Sequence, residues 1–265
     1  MSAPSPFLPF AKKDNGCGSI RAFSLVEILG VMCLIVSMMT LAVPAMNSIG
    51  KSSYLTGTAY EISGILDQAR AYAIAKNTYV YVGIVEVDAS RQPSAKPQVA
   101  GKGRVAVVMA ASKDGTRGYS ISAASIAKPA VNGSNLLTVG KLRYFENVHL
   151  ADLGEAVPSV GGLARPSIAD SCYRLANGYA EENCVTPLRW PVASGADSSQ
   201  YTFNTVINFD PQGVARIQKA SNGDTIPPFM ELGIQETRGN VVASGSNCAV
   251  IQIDGMTGSN RIYRP

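Results

Sequence analysis

The sequence predicts an α+β fold, in which a long N-terminal α-helix, transmembrane and then amphipathic, packs on an antiparallel β-sheet or β-sandwich head. Two patterns predict this arrangement. An apolar run near the N-terminus is followed by an apolar stripe with helical spacing. From Thr78 onward, β-branched and aromatic runs alternate with segments rich in Gly, Pro and Ser, which is typical of strands and turns.

The apolar run extends from Phe23 to Val43 and is interrupted by Glu27 and by small hydroxyl residues. As a helix it would be about 31 Å long, close to the thickness of the hydrocarbon core of a bilayer. Lys12, Lys13 and Arg21 precede it, which favours keeping that end in the cytoplasm. The run is therefore predicted to cross a membrane once.

Glu27 needs an explanation, because a carboxylate at mid-bilayer costs roughly 2.5 kcal/mol or more. Three interpretations compete. The segment is a secretory signal peptide with an Ala-x-Ala-like site at residues 43–45, or it is a plain membrane anchor. In the third, cleavage between Ala22 and Phe23 creates an α-amine four residues before Glu27. A buried ammonium, from the same helix or a neighbouring one, would then offset the buried carboxylate.

The residues "A-FSLVE" and the apolar stretch after them resemble the class III signal of type IV pilins and type II secretion pseudopilins. In that family a prepilin peptidase cuts before the Phe and methylates the new amine. The resemblance implies cleavage between Ala22 and Phe23 and N-methylation of Phe23, although Ala22 stands where the family usually has Gly. It also implies assembly roles for Glu27, which matches the family's glutamate, and for Pro44, where many pilins carry a helix-kinking proline.

The resemblance implies a minor pilin or pseudopilin that assembles into a type II secretion pseudopilus or a type IV pilus-like filament. The expected location is the bacterial inner membrane, with the head in the periplasm. The expected partners are other pilin or pseudopilin subunits, the prepilin peptidase, the inner-membrane assembly platform and the membrane itself. The corresponding divisions are a leader at 1–22, an assembly helix at 23–44, an amphipathic continuation at 45–77 and a β-rich head at 78–265.

An apolar stripe with alternating spacings of four and three follows Pro44 and predicts that the helix continues as an amphipathic one. The helix is expected to end near Asn77, before the β-branched run begins. The stripe is expected to pack against the chain's own sheet. Its members are Leu55, Ala59, Ile62, Leu66, Ala69 and Ala73.

The predicted head consists of several short strands. Residues 154–200 have no clear period and are interpreted as a long loop excursion. The last strands are expected to form a hairpin that turns at residues 257–260. The predicted strand segments are "TYVYVGIVEV", "RVAVVMAA", the strand-turn-strand "TVINFDPQGVARI", "FMELGIQE" and "CAVIQIDGMTGSNRIYRP", with "KLRYFENVHL" as a weaker strand or a short helix.

Two short head segments, "F-D-P-Q-G-V" and "TGSNRIYRP", are similar to the pseudopilin H and FimT group, and the N-terminus also resembles pilin-like proteins of Verru-Chthon cassettes. Some FimT-type pilins are thought to bind DNA during uptake. Arg261 and Arg264 flank Tyr263, and arginine beside an aromatic ring can hold a nucleic-acid backbone and base. DNA binding is therefore the alternative function, and solvated charges at a sheet edge are the simpler interpretation.

Five cysteines are present. Cys172 and Cys184 enclose a short polar loop and are predicted to form a disulfide in an oxidising compartment, with two free thiols as the alternative. Such a bond would add roughly 3 kcal/mol in the chain-entropy model. Cys248 is left over and is expected to be a small buried residue.

Little in the sequence points to catalysis or to a bound cofactor. His149 is the single histidine, and it is expected to be a structural residue with its hydrogen bonds satisfied. The spacing of Cys and His predicts no zinc or haem site. The net charge is +4, and the sequence contains no run of basic residues. Both observations give little support to nucleic-acid binding. The chain is therefore not expected to be an enzyme.

Overall fold

The structure is a computed structural model. It describes residues 24–117, 135–153, 165–166, 168, 173–176, 188–192, 198–217, 226–243 and 247–264, and within the helix it leaves out the side chains of residues 41–52. The chain divides into two compact units, Met1–Ser48 and Ile49–Pro265. Each unit is described by itself.

A single helix, α1 (Leu25–Lys76), precedes the strands in the described part of the chain. It begins after Ser24, whose carbonyl accepts from the amides of Glu27 and Ile28 at 3.0 and 3.1 Å. It ends in front of Asn77, which has a positive φ of 49°, and the amide of Thr78 donates to the Ala73 carbonyl at 3.1 Å. A left-handed Asn that closes a helix in this way is a common C-terminal cap. The predicted end near Asn77 is confirmed.

Thirteen strands follow α1 within the described segments. They are β1 (Val80–Asp88), β2 (Gly103–Ser112), β3 (Leu136–Thr138), β4 (Arg143–Glu146), β5 (Val148–Leu150), β6 (Leu188–Trp190), β7 (Tyr201–Phe203), β8 (Thr205–Phe209), β9 (Ala215–Ile217), β10 (Phe229–Arg238), β11 (Val241–Val242), β12 (Cys248–Asp254) and β13 (Asn260–Tyr263).

These strands form three antiparallel sheets. The first sheet has the order β3-β2-β1-β8-β9, with β4 also paired to β2. The second sheet has the order β11-β10-β12-β13, with β5 also paired to β10. The third sheet consists of β6 and β7. The chain passes from the first sheet to the second at Asn147, which separates β4 from β5 and has a φ of 58°.

The main hydrophobic core lies among α1, the first sheet and the second sheet. The six stripe residues predicted from the sequence are all buried, each with at most 1% of its surface exposed. They pack in one cluster with Val82 and Ile84 of β1, Leu232 of β10 and Ile251 of β12. The predicted packing of the stripe on the chain's own sheet is therefore confirmed.

A second cluster covers the opposite face of the first sheet. Tyr81 and Val85 of β1 contribute to it from one side, and Leu188, Tyr201 and Phe203 contribute from the third sheet. Side chains on both faces of β1 are therefore buried. This explains why its sequence is mostly apolar and shows no alternation of apolar and polar residues.

The predicted fold class, a transmembrane and then amphipathic helix on a pilin-like β head, is corrected by the structure. Strands predominate, and in the part of the chain that the structure describes no helix is both long and apolar enough to cross a membrane. From Tyr54 onward α1 carries charged residues such as Glu61 and Asp67, and its apolar stripe is used against the protein's own sheets. The predicted single-pass location in the inner membrane is corrected by the same finding.

The long loop predicted for residues 154–200 is also corrected in part. β6 lies inside it and pairs antiparallel with β7. Leu175 donates its amide to the Glu231 carbonyl at 2.7 Å, which attaches another part of this segment to the second sheet. Three-residue strands are too short to leave a periodic signal in a sequence. The other predicted strand segments correspond to observed strands, and "KLRYFENVHL" contains β4 and β5 rather than a helix.

Candidate functional site

The first part of α1 exposes apolar side chains on all sides. Eleven large apolar residues between Leu25 and Met39 each have between 44% and 79% of their surface exposed. An isolated helix that is apolar all round is normally buried by surrounding structure, because exposed apolar area of this extent is unfavourable in water. This segment, which we call the apolar helix segment, is the candidate functional site.

A shallow groove of about 350 Å³ runs along the apolar helix segment and is lined by Leu29, Met32, Cys33, Val36 and Ser37. Ser37 donates its hydroxyl to the Leu34 carbonyl at 2.8 Å within the helix. The hydroxyl of Thr40 donates to the Ser37 carbonyl at 2.7 Å in the same way. Both hydroxyls are therefore satisfied locally, so a partner packed on this surface needs to supply no hydrogen bonds to them.

Glu27 lies in the first turn of α1, at one end of the apolar helix segment. Its side chain is exposed, and it makes no ion pair with any residue that the structure describes. The predicted cleavage and methylation site, Ala22 and Phe23, lies outside the described residues. Pro44 falls within the bounds of α1, but its side chain is among those left out. The pairing of Glu27 with an amine at Phe23 thus stays a prediction.

The C-terminal residues predicted as a possible nucleic-acid surface do not form one cationic patch. Arg264 donates to the Thr56 hydroxyl and to Oδ1 of Asn247, the latter at 2.7 Å. Tyr263 packs against the cluster that contains Val250 on the outer face of the second sheet. Of the three predicted residues, only Arg261 is exposed. The guanidinium of Arg264 is already used inside the protein, which weighs against the alternative function.

The same C-terminal strand is hydrogen-bonded to α1. Nδ2 of Asn260 donates to Oδ1 of Asp67 at 2.8 Å and to the Ser63 carbonyl at 3.3 Å. The Ser63 hydroxyl in turn donates to Oδ1 of Asn260. Together with the contact between Arg264 and Thr56, these bonds hold β13 along α1. We call this set of contacts the C-terminal clasp.

His149 contacts a fully buried carboxylate. Its Nδ1 lies 2.8 Å from Oε2 and 3.0 Å from Oε1 of Glu86. The amides of Gly103 and Leu150 donate to the same carboxylate at 2.8 and 3.3 Å. The expected hydrogen-bond partner of the His149 ring is therefore present, and the structural role of His149 stays a prediction. Its partner could not be predicted, because Glu86 appears in the sequence as part of an apolar strand.

A buried ion pair holds Arg165 against the second sheet. Arg165 donates to both carboxylate oxygens of Glu231, at 2.9 and 2.7 Å, and to the Leu153 carbonyl at 2.6 Å. The hydrogen bonds to Glu231 raise the pKa of the Arg165 guanidinium. No signal in the sequence pointed to this pair, because Arg165 lies in the segment interpreted as a loop.

The remaining predicted sites have different outcomes. Cys248 is buried in β12, as expected, and its burial raises the pKa of its thiol. Cys172 and Cys184 lie outside the described residues, so their disulfide stays a prediction. In the described ranges, no group of three or more His, Cys, Asp and Glu side chains is placed to hold a metal ion.

Comparisons with known proteins give no further assignment. No protein-family model matches the chain. Neither the curated proteins nor the solved structures give a match. The functional argument therefore depends on the residues and contacts given above.

Proposed function

We propose that this protein is a minor pilin or pseudopilin subunit that is cleaved before Phe23, methylated at the new amine, and assembled into a filament. The apolar helix segment is the surface that packs against the helices of other subunits. Its partners are those subunits and the prepilin peptidase. The proposal concerns assembly between subunits and does not require α1 to cross a membrane.

The observation that carries the proposal is the exposure of apolar side chains on every side of α1 between Leu25 and Met39. Fully burying one Leu, Ile, Val or Met side chain stabilises an assembly by about 1.5–3 kcal/mol. Helices of several subunits would cover all sides of such a segment at once. The satisfied hydroxyls of Ser37 and Thr40 leave the surface ready for apolar packing.

Glu27 supports the same proposal from its sequence position. Its exposed carboxylate would be buried when the apolar helix segment is covered, and a buried carboxylate is strongly destabilising without a partner charge. A methylated amine at Phe23 of a neighbouring subunit would supply that charge. Because only one axial offset between helices brings the two groups together, the pair would also set the register of neighbouring subunits.

The test is to express Glu27→Ala in the native host, shear the filaments from the cells and quantify the subunit in the filament fraction. The variant is expected to be cut before Phe23, which mass spectrometry of the N-terminal peptide detects, but to be depleted from filaments about tenfold or more. Glu61→Ala is the matched control, since Glu61 is also an exposed glutamate of α1 but lies outside the apolar helix segment.

Two results would contradict the proposal. One is a mature chain that keeps residues 1–22 or that begins elsewhere than Phe23. The other is Glu27→Ala in filaments at the level of the wild type and of Glu61→Ala.

A further inference from the structure

A cavity of about 470 Å³ lies beside the beginning of the buried part of α1. Its lining residues come from α1, from the turn between β4 and β5, and from the end of β10 with the residue that follows it. They are Tyr54, Leu55, Asn147, Glu236, Thr237, Arg238 and Gly239. This volume falls in the range of small-molecule sites, which are mostly apolar with a few placed polar groups.

The backbone around the cavity is held in place by hydrogen bonds. The Thr237 amide donates to the Asn147 carbonyl at 2.9 Å, and the Gly239 amide donates to Oδ1 of Asn147 at 3.2 Å. Asn147 and Gly239 both have positive φ values, of 58° and 59°. A Cβ built on Gly239 would meet no atom within 4 Å, so the space beside it is open. The cavity is therefore a formed feature of the fold.

Two opposite charges line the cavity at alternate positions of β10. Glu236 and Arg238 are two residues apart, so their side chains leave the same face of the strand about 6.6 Å apart. Oε2 of Glu236 accepts from Nδ2 of Asn247 at 2.7 Å, which fixes the carboxylate. Arg238 is exposed and makes no hydrogen bond or ion pair with the described residues. The wall thus offers one fixed anion and one cation that is free to bind.

The opposite wall of the cavity is formed by α1 and is apolar. Leu55 is buried there, and the Tyr54 ring is about half exposed. A ligand that fits both walls has an ammonium group, a carboxylate a few ångströms away and an apolar side chain. A free α-amino acid with an apolar side chain has these three groups on one carbon atom.

We propose that this cavity binds an apolar α-amino acid. Arg238 receives the carboxylate, Glu236 receives the ammonium group, and Tyr54 and Leu55 contact the side chain. Charge-assisted hydrogen bonds to both ends of the ligand give specificity for a free amino acid over its blocked derivatives. This proposal uses different residues from the assembly proposal and is tested independently of it.

The test is isothermal titration calorimetry of the full chain with L-phenylalanine, L-phenylalaninamide and N-acetyl-L-phenylalanine. The free amino acid is expected to bind with a dissociation constant below about 1 mM, and each blocked derivative about tenfold or more weakly. Arg238→Gln is expected to abolish the preference over the amide, and Glu236→Gln the preference over the N-acetyl compound. Arg143→Gln removes an exposed strand arginine outside the cavity and is expected to leave binding unchanged.

The proposal is overturned if L-phenylalanine at about 10 mM gives no binding heat. It is also overturned if Arg238→Gln binds the free amino acid as tightly as Arg143→Gln does, or if the blocked derivatives bind the wild type equally well. These outcomes leave the assembly proposal untouched, because its readout is the filament fraction.

Discussion

Glu86 shows how single residues join the first and second sheets. Its carboxylate lies on β1 of the first sheet and is fully buried. Its contacts with His149 and with the Leu150 amide reach β5, which pairs with β10 of the second sheet. A buried carboxylate is tolerated only when hydrogen-bond donors surround it. Removal of one donor therefore lowers the stability of the folded protein.

We expect His149→Ala to lower the free energy of unfolding by about 1–3 kcal/mol, because the buried carboxylate of Glu86 loses a donor. His149→Gln is expected to lose less, since its amide group can still donate a hydrogen bond. Urea denaturation of the full chain at neutral pH measures both changes. If His149→Ala were as stable as the wild type, the contact with Glu86 would contribute nothing to the fold.

For these individual residues, the sequence indicated that the histidine has a hydrogen-bond partner, but it did not identify the partner of either His149 or Arg165. The single histidine was expected to have its hydrogen bonds satisfied, and its ring does contact a carboxylate. Glu86 is 63 positions away from His149, and Glu231 is 66 positions away from Arg165. Local patterns extend over a few residues and cannot pair side chains at such sequence separations, so these two buried contacts could not be predicted.

Among the elements, α1 has two parts with different surroundings. Its stripe from Leu55 to Ala73 is buried on the protein's own sheets, whereas the segment from Leu25 to Met39 is exposed on all sides. The stripe was predictable, because helical spacing over about twenty residues is a strong signal. The strands β3, β6 and β11 were not, because two or three residues show no period and β-propensity depends on context.

We expect Leu66→Ala to lower the free energy of unfolding by about 2–5 kcal/mol, because Leu66 is fully buried in the main core and the truncation leaves a cavity. Tyr60→Ala is the control from the same helix, since 65% of Tyr60 is exposed, and it is expected to change the free energy by about 0.5 kcal/mol or less. Thermal unfolding followed by circular dichroism compares the two. Equal decreases in the free energy of unfolding for the two variants would mean that the buried stripe contributes no more to stability than the exposed face of α1.

For the whole molecule, the close stacking of the third sheet on the first depends on a glycine. A Cβ built on Gly83 of β1 would lie 2.8 Å from Cγ of Phe203 and 3.2 Å from Cδ2 of Leu188. Both of these side chains are buried in the cluster between the two sheets, so neither can move toward solvent without a change in that packing. A methyl group at this position would therefore push the third sheet away from the first.

We expect Gly83→Ala to destabilise the protein by about 1–3 kcal/mol through this overpacking. Gly64→Ala is the matched control, because a Cβ on Gly64 of α1 would meet no atom within 4 Å. Alanine favours a helix over glycine by about 0.5–1 kcal/mol, so the control is expected to stabilise the protein. Chemical denaturation of both variants measures whether the free energy of unfolding falls for Gly83→Ala and rises for Gly64→Ala. An unchanged free energy of unfolding for Gly83→Ala would contradict the close packing of the third sheet on Gly83.

The C-terminal clasp has a consequence for the synthesis of the chain. Asn260 and Arg264 bond to partners on α1 that lie 197 and 208 positions earlier. While a ribosome is still translating the middle of the protein, α1 has already emerged, but β12 and β13 do not yet exist. The contacts that β12 and β13 make with its stripe are therefore missing until residues 248–263 have left the exit tunnel. Nascent chains of this kind present apolar surface for most of their translation, so we expect them to depend on chaperones that bind near the tunnel.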